Sequence, residues 1–220
     1  MIWSAFKLSA LVVSVATVAV TLVGTALAFL LARREFRGKE ALDSLVTLPM
    51  VLPPTVTGYY LILLLGRRGL LGKYLFALTG WTVAFTWEAA AIAAGAMALP
   101  LMVKSARAAL ESIDRRYELV SFSLGKSELE TFFRVTLPLA RRGILAGVVL
   151  SFARALGEFG ATLMLAGNIR GKTQTMPLAI YEAFISGDDQ KAQIMAVVLT
   201  LTSIAVIYLT NVLTRPPKAA

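Results

Sequence analysis

The sequence predicts an all-α polytopic membrane protein, with about five transmembrane helices in a single domain spanning residues 8–213. Three observations lead there. Of the 220 residues, 57% are hydrophobic and 16% charged, whereas an average soluble domain is about 25% charged. Mean hydropathy is +0.73. The apolar residues fall in long runs, and about 20 such residues in a helix cross a hydrocarbon core of roughly 30 Å. This composition speaks against a soluble enzyme. The absence of Cys and His removes disulfides, thiol and imidazole catalysis and the usual zinc ligand sets.

The runs follow in order. Residues 8–32 and 45–66 are uncharged, 81–103 hold only Glu88, 143–167 hold Arg154 and Glu158, and 192–213 are again uncharged. The first is too long for the apolar region of a signal peptide, and Arg33-Arg34 follows it like a stop-transfer signal. It is therefore read as a retained span. Residues 104–142 form a long polar loop with helical patterning.

Orientation follows from the Lys and Arg count in alternating loops. Fourteen of the 22 fall on one side, including eight in the 104–142 loop and the tail residues Arg215 and Lys218. Seven fall on the other side, and Arg154 lies within a span. The positive-inside rule then places the N-terminus outside, with the long loop and the C-terminus in the cytoplasm. The net charge of +9 is thereby explained by topology and calls for no nucleic acid.

Within the loop, Asp114 is placed to cap a helix starting near Arg115, and Gly125 to end it in a left-handed conformation. Ser127 can cap the next helix, with Glu130 three residues on completing a capping box. Leu129, Phe132, Phe133 and Val135 form an apolar stripe, and Pro138 is expected to stop this helix before the next span. Two short helices with exposed aromatics result. One reading is a docking element for a partner; the other is an amphipathic hairpin lying on lipid.

The stretch from Glu118 to Pro138 resembles the coupling loop of type I ABC importer permeases. Gly125, nine intervening residues, and then Val135-Thr-Leu-Pro138 fit that loop's spacing. The loop's Glu-Ala-Ala slots hold Leu119, Val120 and Ser121, with Glu118 one place early. The resemblance continues through Ser151-Phe-Ala-Arg-Ala-Leu-Gly-Glu-Phe-Gly-Ala-Thr162 and Gly167-Asn-Ile-Arg-Gly-Lys-Thr-Gln-Thr-Met-Pro177. With Leu48-Pro-Met-Val-Leu-Pro-Pro-Thr-Val-Thr-Gly58, these segments are similar to permeases of the oxyanion branch, and to the molybdate permeases in particular.

That resemblance implies a homodimeric permease in a bacterial cytoplasmic membrane, with two cytoplasmic ATPase subunits and an extracytoplasmic molybdate-binding protein. The chain itself has no Gly-x-x-x-x-Gly-Lys-[Ser/Thr] phosphate cradle. No cofactor is expected on it, and ATP and Mg belong to the partner ATPase. Glu118, Gly125, Phe132, Phe133 and Pro138 are the expected coupling residues. The expected cargo is molybdate, with tungstate as a companion. A sulfate or thiosulfate permease is the neighbouring alternative, and a channel or scaffold without ATP coupling is the alternative of another class.

Candidate pathway or gate residues are Thr55, Thr57, Gly58, Arg154 and Glu158. Pro49, Pro53 and Pro54 interrupt the second span just before the two threonines and the glycine. Irregular backbone at membrane depth persists only where it is buried or lines a water-filled route, so this is either pore lining or a simple kink. Arg154 and Glu158 lie four apart on one helical face. Three readings are open for them: an ion pair that opens with a gate, an anion-attracting Arg beside the path, or a static pair that fixes packing. Glu88 is expected to snorkel to the outer interface. Residues 176–185, with Pro177 at the start, are expected to form either a short helix narrowing the outer gate or one lying on lipid.

Overall fold

The computed structural model describes residues 2–213, which are helices joined by turns. In chain order they are α1 (Ile2–Arg33), α2 (Lys39–Val51), α3 (Pro54–Leu65), α4 (Gly72–Thr79), α5 (Trp87–Glu111), α6 (Arg116–Ser123) and α7 (Glu128–Thr131). A π turn, Phe132–Thr136, leads into α8 (Leu137–Leu156), followed by α9 (Gly160–Ala166), α10 (Met176–Ile185) and α11 (Asp189–Leu213). Among the described residues, four helices are long and apolar enough to cross a membrane: α1, α5, the continuous Glu128–Leu156 rod, and Asp189–Tyr208 of α11.

The bundle assembles around α5, and the sequence of α5 explains why. Ala89, Ala90, Ala93, Ala98 and Ala106 are fully buried, so neighbouring backbones approach closely. Facing glycines complete the fit. A Cβ at Gly143 of α8 would stand 2.3 Å from the Ala109 Cβ, and one at Gly24 of α1 would stand 2.6 Å from the Met102 Cγ. Small residues at such crossings maximise van der Waals contact where lipid removes the hydrophobic driving force. Hydroxyls add bonds across the same seam, Ser105 Oγ donating to the Gly143 carbonyl at 2.9 Å.

The 45–66 run is interrupted at its prolines as expected: the break falls at Leu52–Pro53, because the residue before a proline is pushed to extended backbone (Leu52 φ −74, ψ 143). Three expectations about the elements need correction. The 81–103 run is helical only from Trp87, and α5 continues to Glu111, absorbing the start of the expected loop. The 143–167 run is divided at Gly157–Phe159 into α8 and α9. Pro138 does not stop a helix. It sits in the first turn of α8, and the π turn before it gives the proline ring room by widening the helix, with the Leu137 N–H reaching the Phe132 carbonyl.

Helix α10 occupies residues 176–185 as expected, and it packs on protein. The Met176 N–H donates to Ser9 Oγ of α1 at 2.7 Å, and Ala179, Ala183 and Met195 close a small core with Ala5.

Charged residues gather where α1 ends. Asp43 at the start of α2 receives Lys104 Nζ at 2.9 Å and lies 3.3 Å from Arg107. Arg33, Arg34 and Arg115 meet the α6–α7 segment at the same end. Arg215 and Lys218, counted with this side, lie outside the described residues.

Candidate functional site: a stapled helix pair and two helix breaks

The α6–α7 segment is built by its caps. Asp114 Oδ1 accepts the Arg116 N–H at 2.9 Å, opening α6. Gly125 closes it at φ +77, a conformation that costs a side-chain-bearing residue about 1–2 kcal/mol. Ser127 Oγ accepts the Glu130 N–H at 3.2 Å, opening α7. The Glu130 carboxylate itself turns to Lys126 (2.8 Å) and Arg134 (3.1 Å).

The inner face of the pair is fastened to the bundle by polar contacts. Glu118, 8% exposed, receives Arg33 Nε at 3.0 Å and Thr136 Oγ1 at 2.8 Å. The Ser121 and Thr131 hydroxyls meet at 2.8 Å in a buried hydrogen bond. Arg34 grips both Glu128 oxygens, at 2.6 and 2.5 Å, and Arg115 donates to the Arg33 carbonyl at 3.0 Å. The pair leaves Tyr117, Leu119, Val120, Leu124, Leu129 and Phe133 exposed.

Two of the expected coupling residues face the bundle. Phe132 is half-buried and stacks edge-on against Phe29 of α1, with ring centroids 4.9 Å apart. Glu118 faces Arg33 in the bundle. Phe133 does face outward, and Gly125 shapes the turn. Arg33, Arg34, Thr131 and Thr136 are site residues that sequence reasoning does not single out. The available signal is an acid at an inward position of a short helix, which demands a cation. Arg33-Arg34, taken locally, reads only as a membrane stop signal.

The second region lies where two helices break. The α2–α3 and α8–α9 breaks pack together through glycines. A Cβ at Gly160 would lie 3.0 Å from the Pro54 Cβ and 3.3 Å from the Thr55 nitrogen. A Cβ at Gly58 would lie 2.8 Å from the Ala161 Cα. Thr55 is exposed, whereas Thr57 is buried and its hydroxyl has no hydrogen-bond partner among the described residues. Arg154 Nη1 pairs with Glu158 Oε2 at 2.7 Å, and Glu158 Oε1 accepts the Ala161 N–H at 2.8 Å. Glu158 is thus both the partner of Arg154 and the acceptor at the start of α9.

A cleft of about 210 Å³ opens beside Arg154, lined also by Pro49, Met50, Leu52, Pro54, Met97 and Leu101. The structure therefore unites Thr55, Thr57 and Gly58 with Arg154 and Glu158, which the sequence keeps about 100 positions apart, and holds them apart from the α6–α7 pair. One further cluster has no counterpart among the sequence expectations. Glu182 of α10 receives Arg170 Nε at 2.6 Å, Asn168 Nδ2 at 3.1 Å and the Gln174 amide, ordering the 167–175 segment.

Long apolar helices, broken partners beside them and a short helix pair at one end make up the fold of the type I ABC importer permeases. Solved structures share the architecture. A chain of a bacterial ABC transporter involved in the import of the acidic polysaccharide alginate aligns at TM-score 0.77 with 14% identity, over 98% of this chain and 79% of its own. A chain of the MetNI methionine ABC transporter aligns at TM-score 0.69, also with 14% identity, over 97% and 93%.

Residues 9–215 match the family described as "Binding-protein-dependent transport system inner membrane component", and the chain belongs to it. Its relatives include the molybdenum transport system permease protein of Haemophilus influenzae, 45% identical over 80% of this chain and 79% of that protein. The Escherichia coli protein of that description is 42% identical over 93% and 90%. A Bacillus subtilis protein described as a putative molybdenum transport system permease is 41% identical over 91% and 88%.

Proposed function

We propose that this chain is the membrane permease subunit of an ATP-driven importer that moves molybdate, and tungstate with it, into the cytoplasm by alternating access. The observation that carries the proposal is its similarity, at about two residues in five along nearly the whole chain, to permeases described as molybdenum transporters. The complex contains two copies of this chain, two cytoplasmic ATPase subunits that bind ATP and Mg, and an extracytoplasmic molybdate-binding protein. The N-terminus lies outside and the α6–α7 pair faces the cytoplasm, as the distribution of Lys and Arg argues. The chain carries out no covalent chemistry.

The exposed apolar side chains of α6 and α7, led by Phe133, enter the ATPase. The Arg33–Glu118 staple passes the ATPase's rigid-body motion to α1 and, through the π turn, to α8. The two helix breaks form the middle of the substrate path. The test is ATP hydrolysis by the reconstituted complex. Hydrolysis should rise when molybdate-loaded binding protein is added, and should stay at the isolated ATPase's level when the permease is omitted. Hydrolysis indifferent to the permease would overturn the proposal.

A further inference from the structure

The geometry points to the Arg154 cleft as a weak transit site for a tetrahedral dianion, with Glu158 acting as the built-in competitor that keeps binding loose. The identity of the anion as molybdate rests on the proposed function; the site itself does not. Leu52 lies nine residues beyond Asp43, and Arg154 lies 12 residues beyond Arg142. At 1.5 Å per residue they stand about 14 and 18 Å from the nearest charged end of their segments, inside a core of roughly 30 Å. An arginine at that depth is retained where it meets water, a partner or a substrate.

Arg154 meets one partner, in the break just past the end of its own helix, and that partner does not exhaust it. A guanidinium carries five N–H donors in a planar fork; here Nη1 reaches Glu158, while the side chain remains 30% exposed. What it borders is the cleft of about 210 Å³, whose other lining residues are Pro49, Met50, Leu52, Pro54, Met97 and Leu101. Among the described residues of that lining, Arg154 alone is charged. An apolar cleft holding one guanidinium with spare donors suits a compact, multiply charged oxyanion and repels cations.

Glu158 decides how tightly. Its side chain is 2% exposed and is held from two sides, by Arg154 and by the Ala161 N–H. It therefore stays in place and offsets part of the guanidinium charge. The result is attraction without capture, which a passage needs and a binding protein does not. Thr55, exposed on the first turn of α3, follows Pro54 of the lining in the chain.

The test uses the absence of native cysteine. A single Met50→Cys, at a cleft position that is 53% exposed, is labelled with a maleimide in the purified permease–ATPase complex, with millimolar molybdate, sulfate or chloride. Leu78→Cys on α4, 86% exposed, serves as the control. Molybdate at twice its dissociation constant should slow labelling of the Met50→Cys thiol about threefold by mass action and leave the control unchanged. The protection should vanish in Arg154→Gln, survive in part in Arg154→Lys, and reach half-effect at lower molybdate in Glu158→Gln.

Absence of protection by either dianion, or protection that persists in Arg154→Gln, would overturn the site. If Arg154→Gln does not yield an intact complex, the Arg154→Lys and Glu158→Gln variants decide the matter by the direction of their shifts. Protection by sulfate without molybdate would uphold the site and count against molybdate as cargo. Molybdate-stimulated ATP hydrolysis without cleft protection would do the reverse.

Discussion

Glu118 of α6 and Arg33 at the end of α1 form a buried ion pair, 3.0 Å long with side chains 11% and 8% exposed, 85 positions apart in the chain. It joins the α6–α7 pair, which we propose docks the ATPase, to the longest helix of the bundle. Thr136 of the π turn donates to the same carboxylate oxygen, so three elements meet on one atom.

The first prediction follows from that pair. Removing one member of a buried ion pair typically costs about 3–5 kcal/mol, whereas replacing both with apolar residues is much milder. Glu118→Leu should lower the thermal unfolding midpoint of the detergent-solubilised complex and expose α6 to protease. The Arg33→Leu/Glu118→Leu double variant should recover much of the midpoint, and additive losses in that cycle would show that the two residues act separately.

Neighbouring phenylalanines should behave differently. Phe133→Asp should abolish co-purification with the ATPase while leaving the permease's thermal stability nearly unchanged, because Phe133 is 61% exposed. Phe132→Ala should destabilise the permease itself, losing its edge-on contact with Phe29, worth about 0.5–1.5 kcal/mol beyond the buried area. Equal effects of the two on ATPase binding and on stability would contradict the assignment of inner and outer faces.

Gly125 allows a cleaner test of backbone geometry. Among the described residues, nothing lies within 4 Å of a Cβ built at this position, whose φ is +77, so a substitution there meets strain without a clash. Gly125→Ala should cost about 1–2 kcal/mol and Gly125→Asn less, since Asn tolerates the left-handed region. Both should weaken ATPase coupling in that order, measured as ATP hydrolysed per anion transported.

At the start of α2, Lys104 and then Arg107 hold the Asp43 carboxyl below its ordinary value by hydrogen bonding and charge, against the opposing effect of burial. A depressed carboxyl contributes stability that is fully present above the unfolded value of about 3.9 and is lost as pH falls through the folded one. Asp43→Asn should therefore lower stability by up to about 1 kcal/mol at neutral pH, as expected for a partly exposed pair. The difference from the parent should disappear in acid, and a gap that persists or widens as pH falls would contradict the ion-pair origin.

Local chemistry made much of the α6–α7 segment legible. Asp114, Gly125 and Ser127 act within a few residues of themselves, and their caps form where those residue types predict. Pro177 likewise marks the start of α10. What escapes the sequence depends on distant partners. Phe132 turns inward because Phe29, 103 positions earlier, is there to meet it. Pro138 does not end its helix because a π turn relieves the clash, and nothing local announces a π turn. The union of Thr55 with Gly160, and of Arg154 with the α2–α3 break, is a property of packing between runs that each read only as a span. The prolines announce the break at Leu52–Pro53, whereas nothing local announces the one at Gly157–Phe159.

Sidedness has a simple check. In the chain without native cysteine, Ser127→Cys should react with an impermeant maleimide only from the cytoplasmic side of oriented vesicles. Asp188→Cys should react only from outside. Reversed labelling would overturn both the orientation and the docking role of α6 and α7.

The most direct measurement of the central claim is labelled-anion uptake into vesicles that contain this chain, its ATPase and its cognate binding protein. The account predicts molybdate accumulation that requires ATP, falls away with Phe133→Asp and survives a large excess of sulfate. Sulfate accumulation that ignores molybdate and tungstate, or molybdate entry that proceeds without ATP, would contradict it.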